Sequence, residues 1–280
     1  MLNWVEIAQY PSPERFSVLE KYLNDKGVPN KIDYIQAQRG DGYKKILNEA
    51  MEKYDAIRIG RGLGDCTHTL FNNNAVLVQR FGSADSVLKV NGKWELRSAL
   101  YEGLGTIVSQ VGSRFELESH VLVVGTGAVA RIAIAALART GFSRFGISDQ
   151  AGERVDGFCK EMKKVFLGAL FQPIPKDELI LLPGQYGVLV NTTPLEEGNE
   201  ILDELSYFNF FRKNAVAFDF TTKPIDTPLL VEAKEVGVHA VYGHEIAAAA
   251  DEVWAGWALG PHVDMSGYKA LLETEMRRPS

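Results

Sequence analysis

One segment constrains this chain more than any other. An apolar run, Val121-Leu122-Val123-Val124, ends in Gly125-Thr126-Gly127-Ala128-Val129-Ala130-Arg131 and passes straight into a helical pattern that stops at Gly141. Short, apolar and closed by glycine, residues 120–124 read as a buried strand and residues 128–139 as a helix. In the G-x-G-x-x-A spacing, Gly125 permits a tight turn, Gly127 lets a pyrophosphate approach the backbone, and Ala130 keeps the helix close to the strand. The turn from Thr126 to Val129 opens that helix, whose N-terminus offers free N–H groups and a positive dipole end to phosphate. Dinucleotide binding is therefore expected, with a glycine turn kept for packing alone as the other reading.

The end of the next strand bears on which dinucleotide. It reads Phe145-Gly146-Ile147-Ser148-Asp149-Gln150, with Asp149 about two dozen residues beyond Gly125, the distance at which a carboxylate meets the ribose hydroxyls. A carboxylate there accepts from both hydroxyls and repels a 2′-phosphate, so NAD is expected, with NADP the alternative. Asp149 also fits the N-cap of the following helix.

Around this turn the whole chain alternates strand and helix patterns. Strands are expected over residues 4–8, 31–37, 56–59, 75–80 and 86–90, with Asn91-Gly92 as a hairpin turn signal. Helices are expected over 13–24, with Ser12 as N-cap and Pro13 at its first position, over 43–54 and over 98–111. Gly112-Ser113 and the charged patch 114–120 resemble a seam. Beyond it, strands at 144–148, 188–191, 216–219 and 240–242 alternate with helices at 155–166 and 228–235, the pattern of a parallel sheet covered on both faces. Residues 244–259 and 266–277 are helical and return to the first domain. The expected organisation is discontinuous: 1–103 with 243–280 as an α/β substrate domain completed by C-terminal helices, and 104–242 as a Rossmann-type domain.

Composition removes several functions. With 30 Lys and Arg against 36 Asp and Glu the formal charge is −6, leaving no basic surplus for nucleic acid. Two cysteines make no disulfide framework, and no His, Cys and Asp spacing suggests a metal. No apolar stretch reaches the roughly 18–20 residues of a membrane span, and the N-terminal residues lack the basic and apolar runs of a signal peptide. A cytoplasmic protein with a small-molecule substrate is expected, as a monomer or a homodimer.

Taken together, the residues resemble the shikimate dehydrogenase family. The glycine turn followed by Arg131 is similar to its GxGGAxR, and Val188-Leu189-Val190-Asn191-Thr192-Thr193-Pro194 to its N-A/T-T strand end. The stretch from Ala217 through Asp219, Pro224, Thr227 and Pro228 to Leu230 resembles its D-x-x-Y-x-P-x-x-T-P-L-L, and Gly243 opens a segment like its G-x-x-M-L-x-x-Q. The resemblance is specific over about residues 120–260. It implies an α/β catalytic domain, a Rossmann-type domain and a helical C-terminal return, with substrate in the cleft between them. It also implies that Gly125 to Ala130, Asp149, Asn191, Thr192, Thr193 and Gly243 border the cofactor.

The departures lie in the implied substrate site. Gly64 stands where the family has its catalytic Lys, Thr222 where it has the Tyr of D-x-x-Y, and Ala250 in place of a substrate-binding Gln. The S-x-S-P loop shrinks to Pro11-Ser12-Pro13. The partner Asp of that Lys corresponds to Leu100 in an ungapped register, or to Glu102 when the glycines are matched. Oxidising an alcohol by hydride transfer needs a group to take the hydroxyl proton and donors to hold the substrate. Glu102, Arg61, Asp65 and His244 are the candidates, with Arg58 and His68 beside the glycine-rich stretch and Lys223 past the end of the strand at 216–219 as further ones. Each also reads as a solvated or capping residue. The function expected is hydride transfer between nicotinamide and a small hydroxy or keto acid. The rival readings are a catalytically degenerate dinucleotide-binding or regulatory protein and a scaffold without cofactor.

Overall fold

The alternating pattern produces two sheets. A computed structural model describes residues 1–71, 75–195, 198–205 and 208–278, and contacts divide the chain into two compact units, 1–103 with 248–280 and 104–247. The charged patch at 114–120 lies inside the second unit, not at a seam.

In the first unit, β1 (Leu2–Ala8), α1 (Pro13–Asp25), β2 (Asn30–Gln36), α2 (Asp41–Lys53) and β3 (Ala56–Ile59) alternate strand and helix, as parallel pairing requires. The short helices α3 (Gly64–Thr67) and α4 (Val76–Phe81) precede the hairpin of β4 (Ser86–Val90) and β5 (Lys93–Arg97). The sheet order is β2-β1-β3-β4-β5, parallel through β3 and antiparallel beyond it. Asn91 and Gly92 both take positive φ, 49° and 77°, as the two-residue hairpin turn expected of Asn-Gly requires.

One local expectation fails here, and another holds in position only. Residues 75–80, which the sequence predicts as a strand, form α4. Val78 and Phe81, one helical turn apart, are buried, Val76 is 78% exposed, and Gly82 stops the helix in the left-handed conformation. A short apolar run carries no decisive period, and its glycine stop is the better guide. At α1, Ser12 holds the N-cap position but its hydroxyl caps nothing. Its backbone N–H instead donates to Glu6 Oε2 at 2.7 Å.

Helix α5 (Ala99–Val111) runs from the first unit into the second. There β6 (His120–Val124), α6 (Ala128–Thr140), β7 (Arg144–Ser148), α7 (Val155–Val165), β8 (Leu170–Pro173), β9 (Tyr186–Asn191), α8 (Ile201–Glu204), β10 (Phe211–Asp219), α9 (Pro228–Glu235) and β11 (His239–Val241) build an all-parallel sheet of order β11-β10-β9-β6-β7-β8. Its central strand β6 is fully buried from Val121 to Val124, which explains why it reads as a continuous apolar run. The edge strand β8, ending in a proline, carries no such run and is not legible in sequence. Helix α10 (Gly243–Leu259) returns to the first unit, where α11 (Tyr268–Met276) packs on α1. Among the described residues, no helix is long and apolar enough to cross a membrane.

Candidate functional site

The residues expected to border a cofactor gather at the C-terminal ends of β6, β7, β9 and β10, the edge at which open parallel sheets bind ligands. Gly125 takes φ 108° and its N–H bonds Ser148 O at 2.8 Å. A Cβ added there would lie 2.2 Å from Thr192 Oγ1, so only glycine allows this turn. Thr192 in turn donates from its N–H and its hydroxyl to Val124 O, at 2.9 and 2.8 Å.

Gly127 is different. It precedes α6 with φ −83°, and a Cβ there would meet nothing within 4 Å. Open space therefore faces the start of α6, where the N–H groups of Ala128, Val129 and Ala130 have no intrahelical acceptor. That combination fits a dinucleotide pyrophosphate.

Asp149 stands just past β7. Its Oδ2 accepts from Thr126 Oγ1 at 2.7 Å and its Oδ1 from Ala151 N at 2.8 Å. The carboxylate thus ties the glycine turn to the following loop, and it is not the N-cap of α7, a position that Arg154 holds. Arg131 is held by Glu161 in a two-bond pair of 2.6 and 2.7 Å.

Behind this edge lies a polar network that orders the strand ends. Asn191 Nδ2 donates to Asp219 Oδ1 at 3.1 Å, while its Oδ1 accepts from the N–H and hydroxyl of Thr193. Asp219 also accepts from Thr221 N at 2.9 Å and from Thr227 Oγ1 at 2.7 Å, and the Thr227 hydroxyl caps α9. Burial pushes the Asp219 carboxyl above its ordinary value, and these donors pull it back. Gly243 sits against the backbone of Thr221, so closely that a Cβ would come within 2.1 Å of its carbonyl oxygen. His244 follows it, buried in the first turn of α10, and Glu245 accepts from Tyr242 N at 3.3 Å, as a capping residue does.

The catalytic candidates of the first unit are not brought together. Asp65 is gripped by Arg39 through bonds of 2.7 and 3.0 Å, and Arg39 Nε also donates to Gly62 O. The Arg61 guanidinium lies 5.2 Å from the Tyr10 ring centroid. The His68 ring contacts Asp65 O, and Gly64, where the resemblance implies a Lys, is buried in α3. Glu102 is half-buried in the first turn of α5, near the helix start that Asp85 caps by accepting from Ala99 N and Leu100 N. Arg58, a candidate for holding a carboxylate, is 4% exposed and faces Asp251 at 3.4 Å.

Sequence reasoning misses the group around Arg58. Glu6, Arg15, Arg58, Asp251 and Tyr268 meet within the first unit, with Glu6 and Asp251 1% and 0% exposed. The available signal is a lone acid inside an otherwise apolar strand, Trp4-Val5-Glu6-Ile7-Ala8, and an acid, Asp251, directly after the alanine run 247–250 of α10. Among the described residues, no group of three or more His, Cys, Asp or Glu side chains is placed to hold a metal ion.

No family model matches the chain. Over 152 residues, 51% of this chain and 52% of the relative, it is 32% identical to a shikimate dehydrogenase (NADP(+)) of Geobacter metallireducens. The chain spans about half the length of the curated relatives it matches. Its fold is that of a quinate dehydrogenase from Corynebacterium glutamicum solved in complex with NAD (TM-score 0.81, 16% identity, 98% of this chain and 99% of that one). It is also that of a shikimate 5-dehydrogenase from Thermus thermophilus solved with NADP(H) and shikimate (TM-score 0.76, 18% identity, 98% and 100%). The resemblance to the shikimate dehydrogenase family holds in fold over nearly the whole chain, and in sequence over half of it.

Proposed function

We propose that this chain, which shares its fold and half its length of recognisable sequence with the shikimate dehydrogenases, is an NAD-dependent oxidoreductase of a small hydroxy or keto compound. The observation that carries the reading is the open space over Gly127 at the start of α6, beside a carboxylate, Asp149, already fixed by Thr126. When bound there, a nicotinamide dinucleotide supplies hydride exchange with a carbinol or carbonyl carbon. The chain's own part is to seat the pyrophosphate on the amides of Ala128, Val129 and Ala130 and to receive the ribose at Asp149. Asn191, Thr192, Thr193 and Gly243 border the same edge.

The proton must be carried by a protein group. We assign it to His244 and Glu102 on their positions, Asp65 being held by Arg39 in a two-bond pair. His244 stands beside Gly243 at the cofactor edge, and Glu102 is the acid nearest in register to the family's. The relatives' name carries NADP(+), and the preference for NAD here rests on Asp149 alone. Fluorescence titration with NADH and NADPH tests it, with NADH expected to bind more tightly. Tighter NADPH binding overturns the NAD assignment, and binding of neither overturns the dinucleotide reading.

A second reading, a dinucleotide-binding protein without turnover, is favoured by one observation. The positions implied for the family's Lys and Gln are Gly64 and Ala250, both buried and neither able to move a proton. Cofactor binding without turnover of any polar alcohol or carbonyl compound would favour it.

A further inference from the structure

Strand register lays a polar row across the first sheet. Tyr34 of β2, Glu6 of β1, Arg58 of β3, Ser86 of β4 and Arg97 of β5 are direct partners, so their side chains share one face. The row crosses β1 and β3 close to their C-terminal ends. Helices bring three more groups to it. Arg15 of α1 grips Asp251 of α10 through bonds of 2.6 and 3.1 Å, and Tyr268 of α11 donates to Asp251 Oδ2 at 2.9 Å. The Arg58 guanidinium lies over the Phe16 and Trp254 rings at 5.2 and 5.5 Å.

The Ser12 N–H and the two buried guanidinium groups, which would suit a substrate carboxylate, already face carboxylates of the chain. The Ser12 N–H, in the loop that the resemblance aligns with S-x-S-P, donates to Glu6. Arg15 and Arg58 both face Asp251. Gly60 leaves the room for this, since a Cβ there would come within 2.4 Å of Glu6 Oε1. The buried guanidinium groups of Arg15 and Arg58 balance the buried carboxylates of Glu6 and Asp251, while Arg97 faces Glu95 at 3.6 Å, and a further buried carboxylate would face Glu6 and Asp251 as like charges in a desolvated setting. An uncharged oxygen meets no such penalty. Two donors there lack a partner: Arg58 Nη1 and Trp254 Nε1 are buried without a hydrogen-bond acceptor, on side chains 5% and 0% exposed.

We infer that the first unit selects an uncharged polyhydroxy alcohol or ketone over a hydroxy or keto acid, with Glu6 as the specificity-determining residue. The inference rests on the oxidoreductase reading and narrows its substrate class. Glu6 supplies internally the negative charge that an acid substrate would otherwise bring.

Matched pairs on one skeleton test it: shikimate against its methyl ester, and quinate against its methyl ester. Dissociation constants come from ligand-observed NMR with NAD-loaded protein, and KM from NADH formation. The uncharged ester is expected to bind at least about tenfold more tightly than its acid. Glu6→Gln, which leaves the cluster one positive charge in excess, is expected to narrow or reverse that ratio. Equal or tighter binding of the acids by the unmutated protein overturns the inference, and that comparison needs no variant to fold. A ratio unchanged in a folded Glu6→Gln protein overturns the role of Glu6. Binding of neither partner of a pair also overturns the inference, while a retained NADH affinity in the same samples leaves the dinucleotide reading standing.

Discussion

The Arg15 guanidinium and the Asp251 carboxylate, 236 positions apart in the chain, meet in two bonds of 2.6 and 3.1 Å. The pair fastens α1 to α10, and Tyr268 adds α11 through the same carboxylate. Asp251→Ala removes the carboxylate that pairs with both Arg15 and Arg58 and leaves Glu6 alone to balance two buried guanidinium groups, and breaking a buried pair in this way costs about 3–5 kcal/mol. Arg15→Ala is expected to cost less, because Asp251 keeps Arg58 and Tyr268. Urea unfolding of both variants measures the difference. A loss under about 1 kcal/mol in Asp251→Ala would show the pair to be energetically idle.

Asp149 carries a prediction about the cofactor. Its two oxygens are already oriented by Thr126 and Ala151, so in the proposed site ribose hydroxyls would meet an acceptor fixed in place. Hydrogen bonds to a charged group contribute about 1.5–3 kcal/mol, so Asp149→Ser should weaken NADH binding by about 10- to 100-fold. NADPH binding should weaken less, since the variant no longer repels a 2′-phosphate. Fluorescence titration of both cofactors reads the two changes, and an unchanged NADH affinity would remove Asp149 from the ribose site.

The carboxylate of Asp264 gives the protein a pH-dependent fastening. Lys26 Nζ donates to it at 2.7 Å and Ser266 N at 2.9 Å, and these bonds hold its carboxyl well below the ordinary 3.8. The folded state therefore binds this proton more weakly than the unfolded state. The stabilisation is complete above the ordinary value and is lost as pH falls through the folded one. In Asp264→Asn the urea midpoint should accordingly fall less than in the parent between about pH 5 and pH 2. Parallel curves for the two proteins would contradict the assignment.

The glycine turn and the strand ends of the candidate cofactor edge are legible in sequence because their parts are local. Gly125, Gly127 and Ala130 sit at fixed spacing on one turn, and Asp149 ends the next strand. The first unit is harder to read. The Glu6–Arg58 row exists only once β1 pairs with β3 in register, and Asp251 reaches it from the far end of the chain. No local spacing announces such a cluster; the only trace is an acid where the apolar period asks for a hydrophobe. The misread of residues 75–80 has the opposite cause, a local apolar run too short to carry a period of its own. Asp65 looks reactive in sequence because nothing there reveals that Arg39 will grip it.

The two cysteines should separate by reactivity. Cys159 is 3% exposed in α7, and burial pushes its thiol up to about 11. Cys66 is half-buried, its thiol also raised by burial, and its Sγ donates to Leu63 O at 3.2 Å. Only the thiolate reacts, so both should be slow towards a disulfide reagent at about pH 8. Cys66 is expected to react first and Cys159 only as the protein unfolds. Equal rates in the native protein would contradict the burial of Cys159.

Two glycines of α5, two positions apart, predict opposite signs. Alanine is the better helix former by about 1 kcal/mol, so an unobstructed Gly→Ala exchange in a helix stabilises. A Cβ on Gly105 would meet nothing within 4 Å, and Gly105→Ala should raise stability by roughly that amount. A Cβ on Gly103 would lie 2.5 Å from Ala250 N and 2.7 Å from Ala249 C. Those atoms are helix backbone in α10 and cannot turn aside as a side chain could. Relief requires α5 and α10 to separate at this crossing, and overpacking of that kind costs about 1–3 kcal/mol. Gly103→Ala is therefore expected to lower the urea midpoint while Gly105→Ala raises it. A stabilised Gly103→Ala protein would mean that the two helices do not cross this closely.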